Sequence, residues 1–236
     1  MSTTPAQREN QLFFWAHSLL LCIVLVGFGR SFFLRPLFLA SPLTLPLLLH
    51  GAALTLWFAL TVQQAWSART GRKSRHARAA WLALPVLIGV VVSALWVNTA
   101  LALQITSAQD PENMFFWANY MSLMSFVVLV ALAVVKRRQL TVHRRLMLFA
   151  SIAIIGPAFA RFAFWPAFGL GKLGLVLAPA FAVGGMLLLV LIAIGYDILA
   201  LRKPQAATWG GLAGIVLPLL AGTAVALSGA GFALLH

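Results

Sequence analysis

The sequence predicts an all-α, polytopic membrane protein of seven transmembrane helices, with its N-terminus in the cytoplasm and its C-terminus outside. Three observations predict it. Apolar residues make up 62% of the chain and charged ones 9%, where a soluble domain holds about 45–50% and about 25%. Mean hydropathy is +0.96. The charges also fall in the gaps between apolar runs, each long enough for the roughly 20 residues that a spanning helix needs. Strand-type alternation is absent, which argues against an outer-membrane barrel. With Cys22 the only cysteine, a disulfide scaffold is excluded as well.

The first span is placed at 12–34, behind a polar segment carrying Arg8 and Glu9. That segment lacks a basic start and a small-residue cleavage site, so no cleaved signal peptide is expected. Spans two to four are placed at 42–66, 79–105 and 114–135. The fifth, 144–168, is interrupted by Arg161. The sixth and seventh follow at 174–201 and 208–235, and the whole chain, 1–236, reads as one membrane domain. Pro85 and Pro157 should kink spans three and five. Trp15, Trp66, Trp81, Trp117, Trp165 and Trp209 fall near span ends, as an aromatic belt requires. Gly210 and Gly214 form a GxxxG in the last span, and Gly222, Gly229 and Gly231 extend its small-residue character. Close helix packing or a homodimer explains such a stripe.

Charge sets the orientation. Thirteen of the seventeen Lys and Arg lie in the N-terminal segment and the second, fourth and sixth connections. Arg30, Arg35, Arg161 and Lys172 remain for the other side, with Asp110 and Glu112. We term the first side the basic end and the second the far end. The positive-inside bias puts the basic end in the cytoplasm, in a bacterial inner membrane, and accounts for the net charge of +13 without nucleic acid.

One internal repeat is visible. Residues 72–89 and 138–156 each open with a basic turn, and His76 aligns with His143, Arg78 with Arg145 and Gly89 with Gly156. Both convergent topology and duplicated hairpins account for it; repeats of this kind place binding sites at their interface.

Many chemistries are excluded. No lysine lies mid-span, which removes a retinal Schiff base, and there is no Cys-x-x-Cys, phosphate loop or His-Glu-x-x-His helix. What remains are ionisable residues within spans, which are functional suspects because lipid does not tolerate them. His50 lies about 12 Å inside the second span, on one face with Trp57 and Gln64 at seven-residue spacing. In an unbroken fifth helix, His143, Met147, Ile154 and Arg161 share a face, since eighteen residues make about five turns. His17, His76, His143 and Asp197 gather toward the basic end, a donor set that suits zinc or another divalent ion. A b-type haem needs two axial ligands at one depth. His17 with His76 or His143, or His50 with Met121, are the candidate pairs.

The strings LHGAALTLWFALTVQQ, TGRKSRHAR and VHRRLMLFA, with GPAFAR ending at Arg161, resemble a group of uncharacterised bacterial seven-helix membrane proteins. The likeness spans roughly residues 25–165 and departs at Ala77 and Ala80, where a basic residue and a glycine are expected. The His-Arg-Arg-Leu-Met start is also similar to membrane proteins of haem–copper oxidase assembly and to cytochrome-b-type helical cores. The likeness implies a seven-helix fold, and no established reaction comes with the seven-helix group; the likeness to haem-linked proteins and the intramembrane histidines and arginine together motivate a haem or quinone reading.

The resulting expectation is a polar intramembrane cavity lined by His17, His50, Gln64, His143 and Arg161, redox-linked or haem-handling, with haem b or quinone as cofactor. One alternative is a metal-dependent membrane hydrolase on His17, His76, His143 and Asp197. The other is a non-catalytic assembly or scaffold protein. The partners expected are the lipid bilayer and a membrane protein or second copy, with no nucleic acid.

Overall fold

The structure is a computed structural model and describes residues 5–203 and 205–235. Residues 1–4 of the polar N-terminal segment and His236 lie outside the described residues. Its helices are α1 Pro5–Gly27, α2 Arg35–Phe38, α3 Leu45–Arg69, α4 Lys73–Ala102, α5 Pro111–Val135, α6 Leu140–Ala153, α7 Gly156–Phe162, α8 Leu173–Ala200, α9 Ala206–Leu227 and α10 Ala230–Ala233. A π-helical turn occupies Gly29–Phe33 and a 3-10 turn Pro166–Phe168. Among the described residues there is no strand. Among the described residues six helices are long and apolar enough to cross a membrane, and there are seven if α6 and α7 together count as one broken span. The chain is an all-α polytopic membrane protein.

The fifth span departs most from expectation. It is two helices separated by a short break, not one rod over 144–168. Pro157 has no N–H to donate back to the preceding turn, and Gly156 before it is conformationally permissive. By contrast, Pro85 sits inside an unbroken α4. The break cancels the face shared by His143 and Arg161, because helical periodicity does not carry across it.

The chain divides into two compact units. The first comprises the chain through Ser93 with Pro157–Ala182, and the second Ala94–Gly156 with Val183 onward. Two of these boundaries fall inside α4 and α8, so hydropathy, which sees only continuous apolar runs, carries no trace of them.

In the first unit, α1 and α3 run antiparallel. Asn10 donates to the Ala68 carbonyl at 3.3 Å, and the Phe14 and Trp66 rings lie 5.3 Å apart. Phe13, His17, Leu20 and Val24 form the buried stripe of α1, at the i, i+4, i+7 and i+11 positions of one face. At the end of α1 the missing side chain of Gly27 admits α7: a Cβ there would stand 2.4 Å from the Ala158 carbonyl oxygen. The π-turn follows, with Leu34 N–H donating to the Gly29 carbonyl at 2.7 Å. Arg35 closes the next loop by donating to both oxygens of Ser41 and to the Ser31 carbonyl.

In the second unit, α5, α6 and α9 pack together. Asp110 caps α5 by accepting the Glu112 N–H at 3.0 Å, a standard use of Asp at a helix start. The glycines of α9 serve packing within this unit. A Cβ on Gly211 would fall 2.2 Å from Phe149, on Gly214 3.0 Å from Leu129, and on Gly222 3.0 Å from the Trp117 carbonyl oxygen. Gly210 alone of the GxxxG pair faces open space. These contacts account for Gly211, Gly214 and Gly222 within the unit. Trp117 is buried among Phe116, Ile105 and Ala226, and Trp165 donates to the Val26 carbonyl at 3.1 Å. Neither belongs to the belt that the exposed Trp15, Trp66, Trp81 and Trp209 form.

Candidate functional site

All four cations assigned to the far end, Arg30, Arg35, Arg161 and Lys172, belong to the first unit, while the two acids of that side, Asp110 and Glu112, belong to the second. The only described carboxylate of the first unit is Glu9, at the opposite end of α1 from Arg30. The far end of this unit is therefore a cationic site with no internal counter-ion among the described residues.

Its geometry is built by the π-turn and α7. Arg161 lays its guanidinium over the Phe28 ring at 4.2 Å. Its Nε donates to Ser31 Oγ at 3.2 Å and its Nη1 to the Pro157 carbonyl at 2.9 Å. That leaves Nη2 without a hydrogen-bond partner among the described residues. Arg30, one residue before Ser31, donates Nη1 to the Phe164 carbonyl at 2.8 Å, and its buried Nε has no partner among the described residues. The extra residue of the π-turn is what presents Arg30 and Ser31 together, a common use of π-turns at working sites. Gly29 makes room for Trp165 against this turn, since a Cβ would lie 2.9 Å from the indole. Arg35, with its donors spent on Ser31 and Ser41, is structural.

His50 completes the site. Its Nδ1 stands 3.2 Å from Ser93 Oγ, and Ser93 donates its own proton to the Val90 carbonyl at 3.2 Å. Ser93 Oγ thus accepts from Nδ1–H, which leaves the Nε2 lone pair for a ligand. Gly51, the next residue, brings α3 against the π-turn: a Cβ there would fall 2.2 Å from the Phe32 ring. Because α3 begins at Leu45, His50 lies about 7.5 Å from the helix end, shallower than the sequence implied.

The other expected residues are placed elsewhere. His17 is 5% exposed on the inward stripe of α1, with Nδ1 unpartnered among the described residues. Gln64 has a buried Oε1, unpartnered among the described residues, while its backbone carbonyl accepts from His76 Nδ1 at 3.2 Å. His143 donates in the same way to the Ala133 carbonyl at 2.8 Å. The two repeat histidines thus play the same part, each tying the start of a helix to the end of the helix before it.

The residues of the hydrolase reading are divided between the units. His17 and His76 lie in the first unit, His143 and Asp197 in the second, and no three His, Cys, Asp or Glu among the described residues are grouped to hold a metal. The Asp197 carboxylate is engaged instead by Arg145 Nη2 at 2.8 Å, Thr208 Oγ1 at 2.5 Å and the Gln205 N–H at 3.2 Å. Arg145 and Asp197 are 3% and 2% exposed, so this is a buried lock between α6 and α8. His50 and Met121, one of the haem pairs considered, likewise belong to different units.

Sequence reasoning missed Arg30, Ser31 and Phe28. Arg30 reads as a topological charge when only loop composition is counted. The small residues Gly27 and Gly29 just before it are the signal that its backbone is held close to another helix. No known protein family, characterised protein or solved structure matches the chain.

Proposed function

We propose that the protein binds the anionic group of a membrane-dissolved molecule at the far end of its first unit. The observation that carries this is the pair Arg30 and Arg161, which present unsatisfied donors where the unit supplies no carboxylate. A guanidinium away from water is stabilised by an anion far more than it would be in water. Haem uses the most of this site. Its propionates suit Arg30 and Arg161, and its iron suits Nε2 of His50, whose orientation Ser93 maintains. A quinone would accept hydrogen bonds from the same groups but leave the charges uncompensated, so haem is preferred. The setting proposed is the bacterial inner membrane, where helical proteins rather than barrels are the rule.

The test is a titration of the detergent-purified protein with hemin, followed in the Soret region. Saturable binding is expected, weakened about 10- to 100-fold in Arg161→Ala, the worth of a charge-assisted hydrogen bond. His50→Ala should change the position of the Soret band. Absence of saturable binding rejects haem, and binding undiminished in both Arg161→Ala and Arg30→Ala rejects the site.

A further inference from the structure

At the basic end of the same unit, a different arginine is held for a ligand. We propose that Arg69 binds the phosphate of an anionic phospholipid in the leaflet at that end. Its guanidinium carbon lies 4.9 Å from the Phe14 ring centroid, 5.3 Å from Trp66 and 5.8 Å from Trp15. Aromatic rings attract a guanidinium through their π-faces but offer its N–H donors no oxygen acceptor. Those donors make no hydrogen bond or ion pair among the described residues.

The usual work of an arginine at a helix C-terminus is to cap the last carbonyls. Here that work is done by others. The Trp66 carbonyl accepts from Thr70 N–H and Thr70 Oγ1, both at 2.9 Å. The Ser67 carbonyl accepts from Arg72 N–H at 2.9 Å, and that of Ala68 from Gly71 N–H and Asn10 Nδ2, each at 3.3 Å. Arg69 is therefore positioned by aromatic rings and left with donors to satisfy.

What surrounds it identifies the occupant. Trp15 and Trp66 are 57% and 40% exposed, and exposed tryptophans at the end of an apolar span sit at headgroup depth. Arg72 in the turn and Lys73 and Arg75 at the start of α4 follow, and all three are exposed. The one described acid of the unit, Glu9, precedes Asn10 on α1, and no ion pair joins it to Arg69. A planar fork of donors matches two oxygens of one phosphate. The depth selects a lipid phosphate over a free one, and the added positive charge favours a lipid with net negative charge.

The experiment melts the full-length protein in neutral detergent with dioleoyl-phosphatidylglycerol or dioleoyl-phosphatidylcholine, followed by circular dichroism. Phosphatidylglycerol should raise the midpoint by several degrees more than phosphatidylcholine. Arg69→Ala should erase that difference, and Arg72→Ala should keep most of it. Arg69→Lys, which keeps the charge but not the fork, should retain the smaller share. Inorganic phosphate should have no effect. Equal stabilisation by both lipids, an undiminished difference in Arg69→Ala, or the same stabilisation from inorganic phosphate would each overturn the assignment. Should Arg69→Ala not fold, an undiminished difference in Arg69→Lys overturns it equally.

Discussion

Asp197 is the one carboxylate of a membrane-spanning segment that is closed off from solvent, and three donors converge on it. Removing it strands Arg145 in a buried position. We expect Asp197→Ala to cost about 3–5 kcal/mol, the scale of an uncompensated buried charge. The double variant Arg145→Met with Asp197→Leu should recover most of the loss, because a packed apolar pair removes the uncompensated charge. Unfolding of both variants and the parent protein in mixed detergent checks this; a double variant as weak as the single one would contradict it. Legibility at this scale was uneven. His50 and Arg161 stood out in the sequence because each interrupts an apolar run, and both belong to the proposed site. Asp197 stood out equally, yet the sequence offered zinc-type ligands for it. Its true partner, Arg145, lies 52 residues away in a motif dominated by His143, and nothing local points to the pairing.

At the scale of the helix, small residues carry the most information. In α9, Gly211 abuts Phe149 whereas Gly210 borders open space. Gly211→Ala should therefore destabilise by about 1–3 kcal/mol through overpacking, while Gly210→Ala should leave the midpoint unchanged or slightly raised. Thermal melts of both variants decide it, and the reverse order would show that Gly210 packs against something else. Helix positions were largely legible, since hydropathy reads α3, α4, α5 and α8 to within several residues. Two features were not. Hydropathy is blind to the break before Gly156 because both sides of it are apolar. The π-turn at Gly29–Phe33 likewise looks like the tail of span one, although its extra residue decides where Arg30 and Ser31 stand. The repeat was visible as matched histidines, and the structure gives each the same backbone contact, made to Gln64 and to Ala133.

For the molecule as a whole, the testable quantity is orientation. By the positive-inside bias, thirteen cations in the N-terminal segment and alternate connections against four elsewhere predict that the basic segments face the cytoplasm. A reporter joined at the C-terminus should accordingly be active only if it works outside the cytoplasm, and one inserted in the turn after α8 only if it works inside. The opposite pattern would invert the membrane assignment of both arginine sites. The fold class was the most legible property of all, because composition alone names the solvent. The two units were the least legible, since their boundaries cut through continuous apolar helices.

The lock between α6 and α8 also sets an order of events during synthesis. Arg161 emerges after Phe28 and Ser31 are already in place, so its cradle precedes it. Arg145 has no such advantage. Its carboxylate is made 52 residues later, and Thr208, which holds that carboxylate, later still. At a ribosomal speed of about 5–20 residues per second, the guanidinium waits roughly 3–10 s for its counter-ion. During that interval Arg145 is without the carboxylate that later holds it. The second unit therefore matures last, and a chain truncated before α8 is one that quality control has reason to recognise as unfinished.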